Sequence, residues 1–332
     1  MALRRVIGVD VGGTKLLAGV VDAGLGVHHR AQRSVVGLDQ SALLDTAVDA
    51  VHEARAAAGT EVSAVGFGIP SLIDQRTGTA VIAVNLALAN IPFRDVMAER
   101  LGLPVFVDND GNVTALAEHQ AGAARGTREA VVLTIGTGIG GGLILRGELY
   151  RGSIGAAGEL GHMVVDMNGP PCQGNCPNRG CIEALASGTA LAREATRLAR
   201  ERPGSGLGRA LAAGRRPSGP LVTELAHDGD PTAIEALALI GERLGVAITS
   251  LVNIFNPEVV VIGGGVIAAG ELLLGPARAV VAQRALPPSR DVVRIVAARF
   301  GVEAGMVGAA VLAFNELARR AEDRCADVAA CA

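Results

Sequence analysis

The first sixty residues alternate apolar runs with polar breaks, first at the spacing of strands and then at that of a helix. Residues 4–10 (RRVIGVD) and 15–22 (KLLAGVVD) are predicted strands, and the VGGT turn between them predicts a hairpin. A third strand is predicted near 27–36. The apolar positions of 40–58 recur at helical spacing, which predicts an amphipathic helix.

Strands and helices continue to alternate along the remaining chain. The further predicted strands are 62–69, 103–107, 131–135, 142–145, 258–262 and 292–297. The further predicted helices are 95–101, 113–124, 187–200, a long helix that stops at Asn256-Pro257, 271–283 and 304–319. Residues 202–220, rich in Gly, Pro and Arg, are predicted to be a mobile surface loop. The alternation favours an α/β fold, and 332 residues suffice for two domains.

The stretch 130–150 (AVVLTIGTGIGGGLILRGELY) repeats the pattern of the first hairpin. An apolar run leads into the turn Gly136-Thr137-Gly138, and a second apolar run returns from it. This repetition indicates a weak internal duplication. Two such hairpins that face each other across a cleft could hold opposite sides of a phosphate chain with backbone N–H groups.

The turn of the first hairpin carries reactive groups as well as glycines. Asp10 ends the strand, Gly12 and Gly13 let backbone amides approach a ligand, and Thr14 and Lys15 add a hydroxyl and a positive charge. Together they are typical of a phosphate cradle with an acid that organises Mg²⁺ through water. The plain alternative is an ordinary tight turn, in which glycine is common.

Two further polar or glycine-rich clusters follow predicted strands. Asp108-Asn109-Asp110 comes directly after the strand 103–107, at the end where α/β proteins place ligand chemistry. Asp110 there could take a proton from a substrate hydroxyl, or it could simply cap the next helix. The run 263–265 (GGG) follows the strand 258–262 and would let a flat ring or ribose lie against the backbone.

Residues 158–183 (GELGHMVVDMNGPPCQGNCPNRGCIE) form the most distinctive segment. His162, Cys172, Cys176 and Cys181 fall within twenty residues at metal-ligand spacing, with the histidine expected one strand earlier. Thiolate and imidazole ligands suit Zn²⁺, and four protein ligands make the site structural. The alternative is a set of buried free thiols or a disulfide. A metal-clamped loop would present its flanking carboxylates, Glu159 and Glu183, to a pocket.

Composition excludes several classes of function. The chain has no Trp, one Tyr and a net charge of −3, which argues against a nucleic-acid partner. No apolar run is expected to span a membrane, and no signal peptide is expected, because a strand is predicted close to the first residue. Free cysteines with a zinc loop favour a cytoplasmic location. Cys325 and Cys331 are expected to be surface thiols.

These motifs resemble those of the ROK family (repressors, open reading frames and kinases), within the actin-like ATPase superfamily. The resemblance spans Val6 to about Leu317, and its most specific part is GELGH…C…CPNRGC-I-E, which is similar to the family signature ExGH…CxCGxxGCxE. It implies two actin-like (RNase H-like) ATPase domains around a central cleft. The expected smaller domain is 1–120 plus about 305–320, the larger is 121–304, and 321–332 is expected to fray.

The resemblance implies transfer of the ATP γ-phosphoryl group to a hexose, with O6 of glucose favoured and Asp110 as the general base. It implies phosphate binding by Asp10, Gly12, Gly13, Thr14, Lys15, Gly136, Thr137 and Gly138, and adenosine binding by Gly263, Gly264 and Gly265. The implied sugar ligands are Asn109, Glu159, His162, Glu183 and, before Ile91-Pro92, Asn90. From the residues alone, Asn85 and Asn90 fit turn formers as well as hydroxyl binders. ATP, Mg²⁺ and structural Zn²⁺ are the implied cofactors.

The chain departs from the family pattern at one place. Three residues separate Cys172 from Cys176, where the family usually has one, so the loop is two residues longer. Zinc is expected to remain, while substrate preference could shift. Fructokinase, N-acetylhexosamine kinase and mannose kinase stay open, as do polyphosphate as the donor and a homodimer or homotetramer.

Two rival classes are weaker. A sugar-sensing repressor would carry an N-terminal helix-turn-helix, for which no room is expected. A zinc hydrolase with Glu159 as base would need an open metal position, which four protein ligands would close.

Overall fold

The computed structural model describes residues 5–83 and 86–330, and the side chains of 326–330 are outside this description, as are Asn85 and Cys331. The chain forms two compact units. Unit 1 comprises Met1–Gly122, Leu149–Ala157 and Glu303–Ala332, and unit 2 comprises Ala123–Glu148 and Gly158–Val302. The segment Leu149–Ala157 was not expected in the smaller domain. It joins unit 1 because Arg151 pairs with buried Asp108 and because the N–H of Gln75 donates to the carbonyl of Ile154.

Unit 1 is built on a five-stranded sheet with helices on both faces. Its strands are β1 (Arg5–Val11), β2 (Lys15–Asp22), β3 (Val27–Ser34), β4 (Val62–Ile69), β5 (Ser71–Asp74), β6 (Thr79–Ala83), β7 (Ala89–Ile91) and β8 (Val105–Asn109). Its helices are α1 (Gln40–Ala57), α2 (Phe93–Leu101), α3 (Asp110–Ala121) and α11 (Ala304–Ala330). The sheet order is β3-β2-β1-β4-β8, and β5-β6-β7 form a small second sheet that the sequence did not predict.

Unit 2 repeats this plan. Its strands are β9 (Ala130–Ile135), β10 (Ile139–Leu145), β11 (Glu148–Leu149), β12 (Val259–Gly263) and β13 (Arg294–Ala297). Its helices are α4 (Ile182–Ala186), α5 (Gly188–Glu201), α6 (Gly206–Ala212), α7 (Gly219–His227), α8 (Pro231–Phe255), α9 (Glu271–Arg284) and α10 (Ser289–Val292). The sheet order is β11-β10-β9-β12-β13. In both units an antiparallel hairpin is followed by two parallel strands beside its first strand, which confirms the internal duplication.

Helix α11 packs closely against the sheet of unit 1 because two strand residues have no side chain. A Cβ at Gly8 would lie 2.0 Å from the carbonyl oxygen of Met306, and a Cβ at Gly66 would lie 1.8 Å from that of Ala309. Any other residue at these positions would push the helix away from β1 and β4. The close approach fixes the first turn of α11 beside the end of β1.

Several local predictions are corrected by the structure. Residues 202–220 are not a single loop, because α6 lies within them: Ser205 caps its N-terminus by accepting from the N–H of Gly208, and Leu207 is buried. Helix α11 continues to Ala330, although fraying was expected from 321, because this stretch has neither Gly nor Pro to end it. His162 lies in a short 3₁₀ turn, not in a strand.

Within the described residues, two helices are longer and more apolar than the sequence analysis predicts. Pro231–Phe255 and Gly301–Cys325 could each cross a membrane by length and composition alone. In each, 56% of the apolar window is buried inside the protein. This burial is the pattern of a core helix, and the absence of a membrane partner stays a prediction.

Candidate active site and metal centre

Four side chains of the loop 158–183 converge in unit 2. The ligand atoms of His162, Cys172, Cys176 and Cys181 all lie within 4.8 Å of one another. Backbone bonds hold the loop in shape: the N–H of Cys172 donates to the carbonyl of Asn178 over 2.9 Å, and Cys181 pairs with Val164 in an isolated bridge. The predicted ligand set is therefore assembled.

Two distances within the cluster fit a tetrahedral zinc site. The sulfur atoms of Cys176 and Cys181 lie 3.9 Å apart, and Sγ of Cys172 lies 3.5 Å from Nδ1 of His162. Zn–S bonds of 2.3 Å and Zn–N bonds of 2.0–2.1 Å at tetrahedral angles separate such atoms by about 3.8 Å and about 3.6 Å. Burial, and next the neighbouring thiols, raise the pKa of Cys172 to about 12. A cation would be needed to hold Cys172 as a thiolate.

The two carboxylates that flank the cluster differ in their surroundings. Glu159 has a side chain that is 46% exposed, and its Oε2 lies 3.9 Å from Nε2 of His162. Since Nδ1 of that ring faces Cys172, the imidazole turns one nitrogen to the cluster and the other to Glu159. Glu183 lies in the first turn of the short helix α4, with Oε1 4.0 Å from Sγ of Cys172.

Glu183 also contacts the turn between β9 and β10. Its Oε2 accepts a hydrogen bond from the N–H of Ile139 over 2.8 Å. A Cβ at Gly138 would lie 2.2 Å from the same oxygen, so this glycine is required for the contact. The turn itself is closed by the N–H of Gly136 donating to the carbonyl of Gly138, and the N–H groups of Thr137 and Gly138 donate no hydrogen bond within the described chain.

The glycines after β12 have different roles. Gly264 has φ +84°, and a Cβ there would lie 2.4 Å from the carbonyl oxygen of Ile135. It therefore serves the close packing of this turn on β9. Gly265 faces open space, and Gly263 ends β12 against Ala298. The hypothesis was that all three glycines let a flat ring or ribose of a ligand lie against the backbone. Of the three, Gly265 fits that role best, because it alone of them faces open space.

The turn of the first hairpin is exposed in unit 1. Gly13, Thr14 and Lys15 are exposed, and the N–H of Gly12 donates to the carbonyl of Lys15 over 2.9 Å. In the second hairpin the closing bond spans one residue fewer, from Gly136 to Gly138. Lys15 is the single lysine among the chain's 30 basic residues.

Asp110 begins helix α3 and does not cap it. The cap is Asn109, whose Oδ1 accepts from the N–H groups of Gly111 and Asn112 at 2.8 and 3.4 Å. The side-chain amide of Asn109 donates weakly to the carbonyl of Ser71 over 3.4 Å. The cap-only hypothesis for Asp110 is therefore wrong, and its carboxylate accepts from the N–H of Gly111 over 2.9 Å.

The charge of Asp110 acts on Asp10 within unit 1. Burial, and next the negative charge of Asp110, raise the pKa of Asp10 from 3.8 to about 7, while Lys15 acts in the opposite direction. Burial likewise raises the pKa of Asp110, against hydrogen bonds from Gly111 and Asn109 that lower it. Such a pair of half-buried carboxylates would be stabilised by a divalent cation.

Sequence reasoning missed two residues that position these acids. Asp108 is fully buried, and its carboxylate accepts from the N–H of Asn109, from the amide of Asn112 and, at 2.6 Å, from Nε of Arg151. Gly305, in the first turn of α11, would place a Cβ 2.4 Å from Cγ of Asp10. The buried aspartate beside Asn109 was visible in the sequence, but its partner forty-three residues away was not.

The predicted site residues thus form two groups. Asn90, Asn109, Asp110, Asp10 and the first turn belong to unit 1, whereas the loop 158–183, the turn 136–138 and the glycines 263–265 belong to unit 2. Asn90 is exposed and has φ +49°, a left-handed conformation that asparagine tolerates. The meeting of the two groups in one cleft stays a prediction.

Comparison with known proteins places these features in a family. The ROK family model matches residues 6–316. A glucokinase of Thermotoga maritima is 35% identical over 308 residues, which are 92% of this chain and 96% of the relative. The structure of a ROK family glucokinase from Streptomyces griseus in complex with glucose and AMPPNP has 35% identity and a TM-score of 0.83, covering 93% of this chain and 98% of that one.

A regulator is similar as well. The structure of a ROK family transcriptional regulator, a homologue of the Escherichia coli MLC protein, has 27% identity and a TM-score of 0.85. The match covers 94% of this chain and 78% of the regulator. Both kinds of relative share the fold, and the ROK family model matches nearly the whole chain. The chain belongs to the ROK family.

Proposed function

We propose that the protein is an ATP-dependent hexose kinase, with glucose as the favoured acceptor and O6 as the phosphorylated oxygen. The observation that carries the proposal is Asp110, a half-buried carboxylate at the end of β8 beside the acid of the first glycine turn. A relative of 35% identity binds glucose and AMPPNP, which supports the substrate pair.

Asp110 is the proton acceptor in this proposal. Its carboxylate accepts from the N–H of Gly111, and a carboxylate has further oxygen lone pairs for a substrate hydroxyl. Its raised pKa makes the carboxylate a stronger base than an exposed aspartate. Accepting the hydroxyl proton as the oxygen attacks phosphorus is a role worth about 10²–10⁴ in rate.

The two glycine turns bind the phosphates. In unit 2 the N–H groups of Thr137 and Gly138 are available as donors, and in unit 1 Lys15 adds the positive charge. Asp10 would hold the Mg²⁺ of the nucleotide through water, and the ion supplies charge neutralisation when bound. Phosphoryl transfer depends mainly on such positioning and neutralisation.

The metal loop orients the sugar. Glu159, His162 and Glu183 are aligned by the cluster of thiols and imidazole, and they accept or donate hydrogen bonds to sugar hydroxyls. Asn109 and Asn90 complete the set from unit 1. Zinc supplies the rigidity of the loop when bound, and no chemical step falls to it.

One experiment tests the proposal. Purified protein is given ATP with a panel of glucose, mannose, fructose and N-acetylated hexoses, and ADP release is followed; polyphosphate replaces ATP in a parallel set. Glucose is expected to give the highest kcat/KM. In a matched pair, 6-deoxyglucose should bind without being phosphorylated, and a reaction at full rate with it would overturn O6 as the acceptor.

Asp110→Asn separates catalysis from binding. The variant is expected to bind glucose within a few-fold of the parent, by calorimetry, and to lose about 10²–10⁴ in turnover. Near-normal turnover would remove Asp110 as the base.

Since a regulator of the same fold has a TM-score of 0.85, the rival is a sugar sensor without turnover. Glucose binding with no ADP release from the parent protein would favour that rival.

A further inference from the structure

The turn between β9 and β10 is bonded to the residues that follow the metal loop. The N–H of Ile139 donates to Glu183, the N–H of Gly188 donates to the carbonyl of Gly136 over 2.8 Å, and the hydroxyl of Thr189 donates to the carbonyl of Thr137 over 2.8 Å. Three positions of one short turn are thus held by a stretch of seven residues, 183–189. That stretch begins two residues after Cys181, the last cysteine of the metal loop.

The same stretch is bonded to the middle of the metal loop. Gln173, which lies between Cys172 and Cys176, donates from Nε2 to the hydroxyl oxygen of Ser187 over 3.1 Å. Ser187 is fully buried and caps helix α5 by accepting from the N–H of Ala190 over 3.2 Å. The lengthened part of the loop is therefore fastened to the residue before Gly188 and Thr189.

Close packing makes these contacts mutually dependent. A Cβ at Gly188 would lie 2.7 Å from the carbonyl oxygen of Gly136, and one at Gly138 would lie 2.2 Å from Oε2 of Glu183. Neither segment can shift by an ångström without breaking contacts to the other. The carbonyls of Gly136 and Thr137 are engaged by this stretch, so the turn presents its N–H groups in a fixed direction.

We propose that Gln173, Glu183, Ser187 and Thr189 form a bridge through which the metal loop sets the affinity of the second glycine turn for the nucleotide phosphates. Thr189 is a positioning residue in this bridge, because its hydroxyl holds the carbonyl of Thr137. Ordering of the loop by metal or hexose should then strengthen nucleotide binding, and by linkage nucleotide should strengthen hexose binding by the same factor. The inference rests on the proposed function, since it takes the turn to be a phosphate site.

Thr189→Val tests the bridge with little change of shape. It removes the donor to Thr137 and keeps the branched side chain at the start of α5. Thr196→Val is the matched control: it lies on the same helix, and among the described residues its hydroxyl bonds to the carbonyl of Ala192, one turn back. Calorimetry with AMPPNP and Mg²⁺, and separately with glucose, measures both affinities, while circular dichroism and metal content check folding.

The bridge predicts a selective result. Thr189→Val should weaken AMPPNP binding about 3- to 10-fold, the effect of one lost hydrogen bond, and should leave glucose binding measured alone within about twofold. It should also reduce the factor by which glucose strengthens AMPPNP binding. Thr196→Val should change none of these. Equal AMPPNP affinity in parent and Thr189→Val would overturn the bridge.

Metal removal provides an independent arm. Chelation of the parent protein should weaken AMPPNP binding as well as glucose binding. In Thr189→Val, chelation should weaken AMPPNP binding less, because the hydrogen bond from residue 189 to Thr137 is already lost. Loss of glucose binding with unchanged AMPPNP affinity after chelation would overturn the bridge while leaving the kinase proposal intact. A parent protein that does not bind AMPPNP at all would overturn both.

Discussion

The carboxylate of Glu183 accepts a hydrogen bond from the backbone N–H of Ile139, with 2.8 Å between Oε2 and the nitrogen. One oxygen of a predicted sugar ligand is thereby committed to the predicted phosphate turn. The other, Oε1, lies on the side of Cys172. Glu183→Gln should retain this bond through its amide oxygen, whereas Glu183→Ala should lose it, so these two variants separate the charge of the residue from its support of the turn.

The metal loop should hold one zinc per chain. Cys176→Ser is expected to lose the metal and most of the glucose affinity, because the remaining three ligands do not fix the loop. Metal analysis beside calorimetry measures both. Cys325→Ser is the control, since this thiol is exposed on α11 of unit 1 and should affect neither. Full glucose affinity in metal-free Cys176→Ser would show that zinc does not order the sugar ligands.

Lys15 offers a single-site probe of the phosphate turn. It is the one lysine of the sequence and is exposed, so an amine-reactive reagent should modify it and the terminal amine. MgATP should slow the modification of Lys15 several-fold and leave the terminal amine unaffected. Peptide mass spectrometry reads both positions in one sample, with the terminal amine as the internal reference. Equal rates with and without nucleotide would remove Lys15 from the phosphate site.

Stability of the ligand-free protein should fall as pH rises through the titration of Asp10. The pKa of this group is about 7 in the folded protein and 3.8 ordinarily, so the folded state binds the extra proton between these values. A raised carboxyl pKa gives stability at low pH that is lost as pH approaches and passes 7. Asp10→Asn should therefore raise the melting temperature at pH 8 and change it little near pH 4.

The control for this prediction is Asp95→Asn, an exposed carboxylate at the start of α2. Melting curves at a series of pH values should give nearly parallel profiles for this variant and the parent. If the pH profile of Asp10→Asn were also parallel to that of the parent, the ionised carboxylate of Asp10 would not destabilise the folded state.

Arg151 should be essential for the stability of unit 1. Asp108 is fully buried and Arg151 is 18% exposed, so Arg151→Met leaves a buried negative charge without its cation. Losing one partner of such a pair costs about 3–5 kcal/mol. Denaturant unfolding measures the loss. Arg76→Met, which breaks the exposed pair with Asp74, is the matched control and should change stability far less. Equal effects of the two variants would contradict the structural role of Asp108.

The sequence predicted those parts of the fold that repeat at short range. The period of apolar positions and the glycine turns predict the two hairpins, the buried strands and most helices. The spacing of Cys and His within twenty residues predicts the ligands of the metal cluster. The hidden α6 was missed because Gly and Pro around it outweighed the cap signal of Ser205 and the buried Leu207.

Contacts between distant residues could not be predicted. Nothing in the local pattern connects Arg151 to Asp108, or Gly305 to Asp10, because each pair forms only when separate elements pack. The small sheet β5-β6-β7 was not predicted for the same reason. The polar cluster 108–110 was located correctly, but whether Asn109 or Asp110 capped the helix depended on one residue of register, which periodicity does not fix.

The order in which the chain visits the two units has a consequence for synthesis. Helix α11 closes the sheet of unit 1 against β1 and β4, yet it is made after every residue of unit 2. During translation, unit 2 can complete its core first, while the apolar face of the earlier strands waits uncovered. A ribosome-stalled chain that ends before residue 304 should therefore resist protease in its second half and remain cleavable in its first, the reverse of the usual vectorial order.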